Sequence, residues 1–302
     1  MKILSYKDLK STDELLPLLD QAFGWSFNSR TFANSVKIDP RLKNSEVGFC
    51  AMDDGRVIGY VGVMDLVTRT LDGSVEHVGG LYGVATLPGH TRRGVCTSLM
   101  IRAHEYFKDR GYRFSLLNTS PTIVAYSLYK KLGYLEAVER SSGYKVVGNK
   151  KPKRFKTEKL DFSRLSGIYD GYVKDRCGFV VRDEAYFKML KKAEWLVGHQ
   201  NLFSEHGYVL FKKEKNIVRI AELMASDAEE MNQLISLMEE QAKDIVLCRT
   251  IVDKALLRVF KRRGYMILEK SHGATMFKSL TSDASFKQTY GDKFFMSSLD
   301  HF

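Results

Sequence analysis

The chain has 302 residues, 47 Lys and Arg against 36 Asp and Glu, and a formal net charge of +11. With 44 % apolar residues, 27 % charged residues and only 5 prolines it is neither disordered, collagen-like nor an extended linker, and its length suggests two domains that each bury a core. More than half of the charge excess sits in residues 145–159, where seven basic side chains face Glu158 alone, so the rest of the chain is only mildly basic.

Ser11 followed by Glu14 reads as a capping box, with Leu15, Leu16, Leu19, Ala22 and Phe23 at helical spacing after it. Residues 47–52 and 56–64 read as two strands joined by the turn Asp53-Asp54-Gly55. Residues 78–86 form a third strand whose glycines mark a bulge or a close approach to the backbone. A helix starts at about Gly94, buries Val95, Leu99, Ala103 and Tyr106, and ends at Gly111. A short strand over 113–117 follows, then a helix with Ser120 as N-cap, Pro121 in its first turn, and Val124, Leu128 and Leu132 as its ridge. The order predicts an α/β domain built on a mixed sheet.

The second half repeats part of this. Leu128-Tyr129-Lys130-Lys131-Leu132-Gly133-Tyr134 has a counterpart in Val259-Phe260-Lys261-Arg262-Arg263-Gly264-Tyr265. Upstream of the second copy, 208–213 and 217–224 resemble strands and 228–242 an amphipathic helix. Met224, Met231, Met238, Met266 and Met276 read as core filler. Cys50, Cys96, Cys177 and Cys248 form no Cys-x-x-Cys pair and the seven histidines are dispersed, which predicts reduced thiols, a cytoplasmic setting and no metal site. No apolar run approaches the ~20 residues that span a bilayer, and the N-terminus lacks the apolar core of a secretory signal, so no membrane association is expected.

The stretch from Leu81 to Met100 is a strand, a basic glycine-bearing loop and a helix N-terminus. Free amides and the positive end of the helix dipole suit a phosphate or pyrophosphate there. Arg92 and Arg93 add charge, and Gly94 admits a close backbone approach. The loop lacks both a Walker ending and a Gly-x-Gly-x-x-Gly turn. Together with Ala125-x-x-Leu128-Tyr129-Lys130-Lys131-Leu132-Gly133-Tyr134, it resembles the GNAT acetyltransferases over most of residues 1–145. That resemblance implies acetyl-CoA as cosubstrate, with Val84, Ala85 and Thr86 along its pantetheine. It places Arg92, Arg93, Gly94, Val95, Cys96 and Thr97 around its pyrophosphate. Thr91 and Cys96 depart from the usual family pattern, which often has Gln or Arg and then Gly or Ala at these positions.

Residues 168–170 and 178–184 resemble the second-domain start of the Eis-like acetyltransferases (enhanced intracellular survival type), without room for a full sterol-carrier-like third domain. The expected layout is therefore a catalytic GNAT domain over 1–148, a basic linker over 149–160, and a degenerate GNAT-like domain with a C-terminal tail over 161–302. No Arg-Arg-x-Gly loop follows 217–224, so a second acetyl-CoA site is not expected. The resemblance implies a general acid at Tyr129, against the alternative of a tyrosine packing on the core. It implies a general base in the carboxylate of Phe302, with Asp20, Asp300, a water chain or a plain surface terminus as alternatives. The oxyanion formed by amine attack needs a donor such as a backbone N–H near Val84. His77 and His90 read as solvated or capping residues.

The expected function is acetyl transfer to a primary amine of a small molecule or peptide, with the second domain shaping the acceptor pocket. The alternatives are a non-catalytic CoA-responsive module acting through residues 145–159, and a tandem-GNAT thiol-conjugate synthase. Only Phe155 interleaves with the basic run and no DNA-reading motif flanks it, which disfavours nucleic acid as a partner. A homo-oligomer is compatible with the sequence.

Overall fold

The structure, a computed structural model, describes residues 1–24, 26–138, 140–148, 151–153, 160–182, 184–192, 196–270 and 273–300. The first half runs β1 (Lys2–Ser5), α1 (Leu15–Phe23), α2 (Ser29–Ile38), α3 (Pro40–Lys43), β2 (Gly48–Asp53), β3 (Arg56–Arg69), β4 (Val75–Thr86), α4 (Val95–Asp109), β5 (Phe114–Thr119), α5 (Val124–Lys131), β6 (Leu135–Val138) and β7 (Ser141–Val146). The second half runs α6 (Phe162–Tyr172), β8 (Cys177–Gly178), α7 (Glu184–Lys192), β9 (His199–Phe203), β10 (Gly207–Glu214), β11 (Ile217–Ala225), α8 (Ala228–Gln241), β12 (Ile245–Ile251), α9 (Lys254–Arg262), β13 (Met266–Glu269), β14 (Ala274–Ser279), α10 (Phe286–Tyr290) and β15 (Phe294–Phe295).

These strands form two sheets of matching plan, ordered β1-β2-β3-β4-β5-β14-β6 and β13-β7-β12-β11-β10-β9. Along each path, an antiparallel meander meets one parallel contact, β4 with β5 or β11 with β12, and antiparallel strands complete it, while β8 joins β3 off the first path and pairs in parallel with β15. The mixed α/β fold with two copies of one plan is as expected. The division along the chain differs: β7, from the first half, is inserted between β12 and β13, while β14, from the second half, is inserted between β5 and β6. Both sheets offer the same slot between two strands, so a short alternating strand fits either and the local sequence does not choose. Arg140, buried at the β6–β7 crossover, donates to Asn118 Oδ1 on β5 and Thr275 Oγ1 on β14. It thereby ties the exchanged strand to its host.

Helix α4 packs on one face of the first sheet, where Leu99, Ala103 and Phe107 meet Phe49, Val61, Val63 and Leu81. The strand glycines make that approach possible: a Cβ on Gly79 would stand 2.3 Å from the Phe107 ring, and one on Gly59 would stand 2.6 Å from Val95. The opposite face carries α1, with Leu15, Leu18 and Leu19 against Tyr60 and Val57. In the second half, Met231, Leu234, Ile235 and Met238 of α8 pack on Val209, Phe211, Val218 and Ile220. Met224 and Met276 are also buried, but Met266 is 65 % exposed on the β13 edge and fills no core.

Two helix starts differ from the sequence reading. Ser11 accepts from the Asp13 amide in a 3-10 turn, and α1 begins afterwards at Leu15 with no side-chain cap, so Ser11 and Glu14 make no capping box. Ser120 accepts from the Thr122 amide at 3.3 Å in a turn, and α5 begins only at Val124. Both serines satisfy a nearer amide first, which is the competing role of such side chains. Of the expected basic linker, residues 149–150 and 154–159 lie outside the described residues. Lys145 and Lys153 are ion-paired to Glu239 at 3.0 Å and Glu240 at 3.3 Å. No helix among the described residues is long and apolar enough to cross a membrane.

Candidate functional site

Strands β4 and β5 are paired only where Gly79, Gly80 and Leu81 face Ser115, Leu116 and Leu117. Beyond that point they part, and residues 82–86 turn their backbone groups on that edge towards a gap. The register with β3 shifts between Tyr60 and Gly62 in the same place, so Gly83 and Val84 together oppose one residue. Gly83 has φ +58°, a conformation that glycine adopts at little cost. Around the gap, Thr86 Oγ1, Thr119 Oγ1 and Asn118 Nδ2 are buried with no hydrogen-bond partner among the described residues. A buried polar atom left unpaired costs on the order of 1–3 kcal/mol, so three of them at one parted strand end fit a ligand with polar groups.

Thr86 leads through the 3-10 turn Pro88–His90 to Arg92, φ +60°, and Gly94, φ +77°, which caps α4. No side chain caps this 15-residue helix. Its first ladder bond runs from the Ser98 amide to Gly94 O at 2.9 Å, which leaves Val95, Cys96 and Thr97 N–H without helical partners. Arg92 and Arg93 are exposed beside them. Free amides, the helix dipole and two guanidinium groups at one helix start are the chemistry that suits an anion.

Tyr129 of α5 is 5 % exposed and packs edge-to-face on Tyr134 with ring centroids 6.2 Å apart. Its hydroxyl makes no hydrogen bond among the described residues. Burial, and then the neighbouring Cys96, push its pKa above the ordinary 10.0. Burial also pushes the Cys96 thiol up to about 11, so that thiol is protonated at neutral pH. The structure therefore groups Val84, Ala85, Thr86, Arg92, Arg93, Gly94, Val95, Cys96 and Thr97 along one strand–loop–helix path, and puts Tyr129 beside it. Asn118 and Thr119 were not singled out from the sequence. Their signal was two polar residues directly after Leu116 and Leu117 at the end of a buried strand.

Phe302 lies outside the described residues. The tail up to Asp300 is docked: Phe295 and Leu299 are buried, and β15 pairs with β8. Asp300 Oδ1 accepts from Arg182 Nε at 2.9 Å and its Oδ2 from the Ser297 amide at 2.7 Å. Burial raises the Asp300 carboxyl above the usual range despite the opposing pull of Arg182. Arg182 also donates to Glu222, which accepts from Tyr208 at 2.6 Å. Asp20 is exposed at the end of α1. His77 is hydrogen-bonded to Asp65 at 2.6 Å, and His90 stands 3.9 Å from the Asp53 carboxylate.

The corresponding path in the second half is closed. β11 and β12 are paired from Ile217 with Ile245 to Ile220 with Cys248 and then separate. The tail meets that parted end, with Ser298 Oγ donating to Ala221 O and Ser297 Oγ to Glu222. Only a void of about 20 Å³ is left there. The α8 N-terminus is filled as well: Asp227 accepts from the Glu229 and Glu230 amides at 2.9 and 3.0 Å. A protein carboxylate thus holds the amides that an anion would need, with two more acids in the first turn.

A sequence profile of the acetyltransferase (GNAT) domain matches residues 6–137. No curated protein sequence matches the chain. Among solved structures, the chain is similar to a GCN5-related N-acetyltransferase from Kribbella flavida, with TM-score 0.68 and 16 % identity over 92 % of this chain and 72 % of that one. It is similar to Eis1 from Mycobacterium abscessus, with TM-score 0.63 and 16 % identity over 93 % of this chain and 74 % of that one. It is also similar to a GCN5-related N-acetyltransferase from Anabaena variabilis, with TM-score 0.67 and 15 % identity over 93 % and 73 %. These similarities span both sheets and establish the fold. The bulged β4, the parted β5 and the uncapped α4 all fall within residues 6–137, the part of the chain that matches the acetyltransferase (GNAT) domain.

Proposed function

We propose that the chain is an acetyl-CoA-dependent N-acetyltransferase acting on a primary amine of a small molecule or peptide, with its chemistry in the β4–β5 gap. The observation that carries this reading is the coincidence of a strand gap lined by orphaned polar atoms with an uncapped, arginine-flanked helix N-terminus. Residues 84–86 would lie along the pantetheine, and Arg92, Arg93 and the amides of Gly94, Val95, Cys96 and Thr97 would hold the pyrophosphate. When bound, acetyl-CoA supplies a thioester carbonyl with a thiolate leaving group.

The Val84 backbone N–H donates to the carbonyl oxygen and carries the charge that builds there. The acceptor amine, mostly ammonium at neutral pH with a pKa of ~10.4, gives its proton to a base before it attacks the carbonyl carbon. In this reading the base is the carboxylate of Phe302, while Asp300 is engaged by Arg182 and the Ser297 amide. As the carbon–sulfur bond breaks, Tyr129 gives its phenolic proton to the departing sulfur, and the second proton lost by the acylated nitrogen restores the phenol. Burial keeps Cys96 as the less nucleophilic thiol at neutral pH, which favours direct transfer over a covalent enzyme intermediate.

Incubation with acetyl-CoA and a panel of primary amines, following free thiol, tests this. Thiol release that depends on the amine supports it. Tight CoA binding with no release from any amine would instead favour a CoA-responsive module.

A further inference from the structure

We propose that the acceptor of this reaction is an elongated amine carrying a carboxylate on an apolar chain, held in the cavity between α2, α3, the far end of β3 and α7. The proposal rests on the acetyltransferase reading and adds the chemistry of its second substrate. The cavity holds about 600 Å³ and is walled by Ile38, Leu66, Phe179 and Met189. Its charges are arranged in two tiers.

On the floor, Asp300 is the one acid among the described lining residues, and it is already engaged. Behind the lining, Asp39 takes Arg41 Nε at 3.0 Å and Nη2 at 2.7 Å, and Glu222 shares Arg182 with Asp300. Tyr186 hydroxyl donates to Asp300 Oδ1 at 3.3 Å. Among the described residues that line the cavity, no carboxylate is left to receive an ammonium group. At the rim, Lys37 and Lys43 are exposed and form no ion pair among the described residues. Apolar walls under two such cations attract the acid end of an amphiphile and repel a second ammonium group.

The same strand sets the length. Leu66, on the cavity wall, and Gly62, opposite Tyr82 at the bulge, are four residues apart on β3, on one face of the sheet. At about 3.3 Å per residue this is roughly 13 Å. A lysine side chain at the rim shortens the span, so the acceptor's amine and carboxylate stand about eight carbons apart.

Three probes of one length separate the possibilities: 8-aminooctanoate, octylamine and 1,8-diaminooctane, compared by kcat/KM for thiol release. The expected order is amino acid, alkylamine, diamine, with about a tenfold spread between the ends. In the Lys37→Ala/Lys43→Ala variant, KM for 8-aminooctanoate should rise about fivefold while octylamine is unaffected, since exposed lysines contribute through charge alone. A diamine used as well as the amino acid, or a variant that lowers all three rates alike, overturns the proposal and leaves the acetyltransferase reading intact. If no amine is acetylated, that reading fails by itself, and calorimetry with 8-aminooctanoate decides the cavity. Binding weakened by the double variant supports the site, and binding that is absent or unaltered overturns it.

Discussion

Tyr129 shows how burial suits a side chain to a task. A phenol whose pKa is raised stays protonated through the alkaline range, so it remains a proton donor wherever a substrate amine is free to react. Tyr129→Phe should lower kcat about 100-fold while leaving acetyl-CoA affinity unchanged in calorimetry; an unchanged kcat would return Tyr129 to the role of a packing residue. His104 gives a second residue-scale expectation. Burial, followed by Lys278 and Lys108, pushes its pKa from 6.5 down to about 4, and its Nε2 lies 2.8 Å from the Tyr134 hydroxyl. The unfolded chain therefore binds this proton more readily than the folded one. The stability contributed by the neutral ring is complete above pH 6.5 and is lost as the pH falls towards 4, roughly 3 kcal/mol in all. Urea titrations across this window should show a steeper fall for the native protein than for His104→Gln, and parallel curves would contradict the assignment.

At the scale of elements, the strand–loop–helix path was legible because its chemistry is local. Gly94 and the adjacent arginines place positive charge and free amides together wherever a helix follows them, and the helix is announced by Val95, Leu99 and Ala103. The gap in front of it was not legible, since it depends on where β5 stops pairing with β4. Helix starts were misread for a related reason: Ser11 and Ser120 carry the right chemistry for a cap, yet each closes a tighter turn within two residues. The bulge itself can be tested at Gly83. A side chain there must accept φ +58°, and its Cβ would lie 3.4 Å from the Tyr60 ring. Gly83→Val should cost about 1–2 kcal/mol or more in thermal unfolding and weaken acetyl-CoA binding at least tenfold. Native affinity in a folded variant would show that the bulge does not shape the site.

Across the whole molecule, the reciprocal exchange of β7 and β14 makes each sheet incomplete without the other half of the chain. The repeat of 128–134 in 259–265 revealed two copies, but strand exchange leaves no trace in a local pattern. It carries a thermodynamic consequence: the two sheets should unfold together in one calorimetric transition, and residues 1–148 expressed alone should not fold. Two resolved transitions would contradict this. The exchange also brings the tail across to the parted end of β11, where it hydrogen-bonds to Ala221 and Glu222, while polar atoms at the first copy's parted end are left without partners among the described residues. This asymmetry is the centre of the account, and hydrogen exchange with and without acetyl-CoA measures it directly. The expected result is new protection at residues 84–86 and 95–97, with residues 221–225 and 228–231 unchanged. Protection confined to the second pair of segments, or none at the start of α4 when acetyl-CoA is bound, would contradict it.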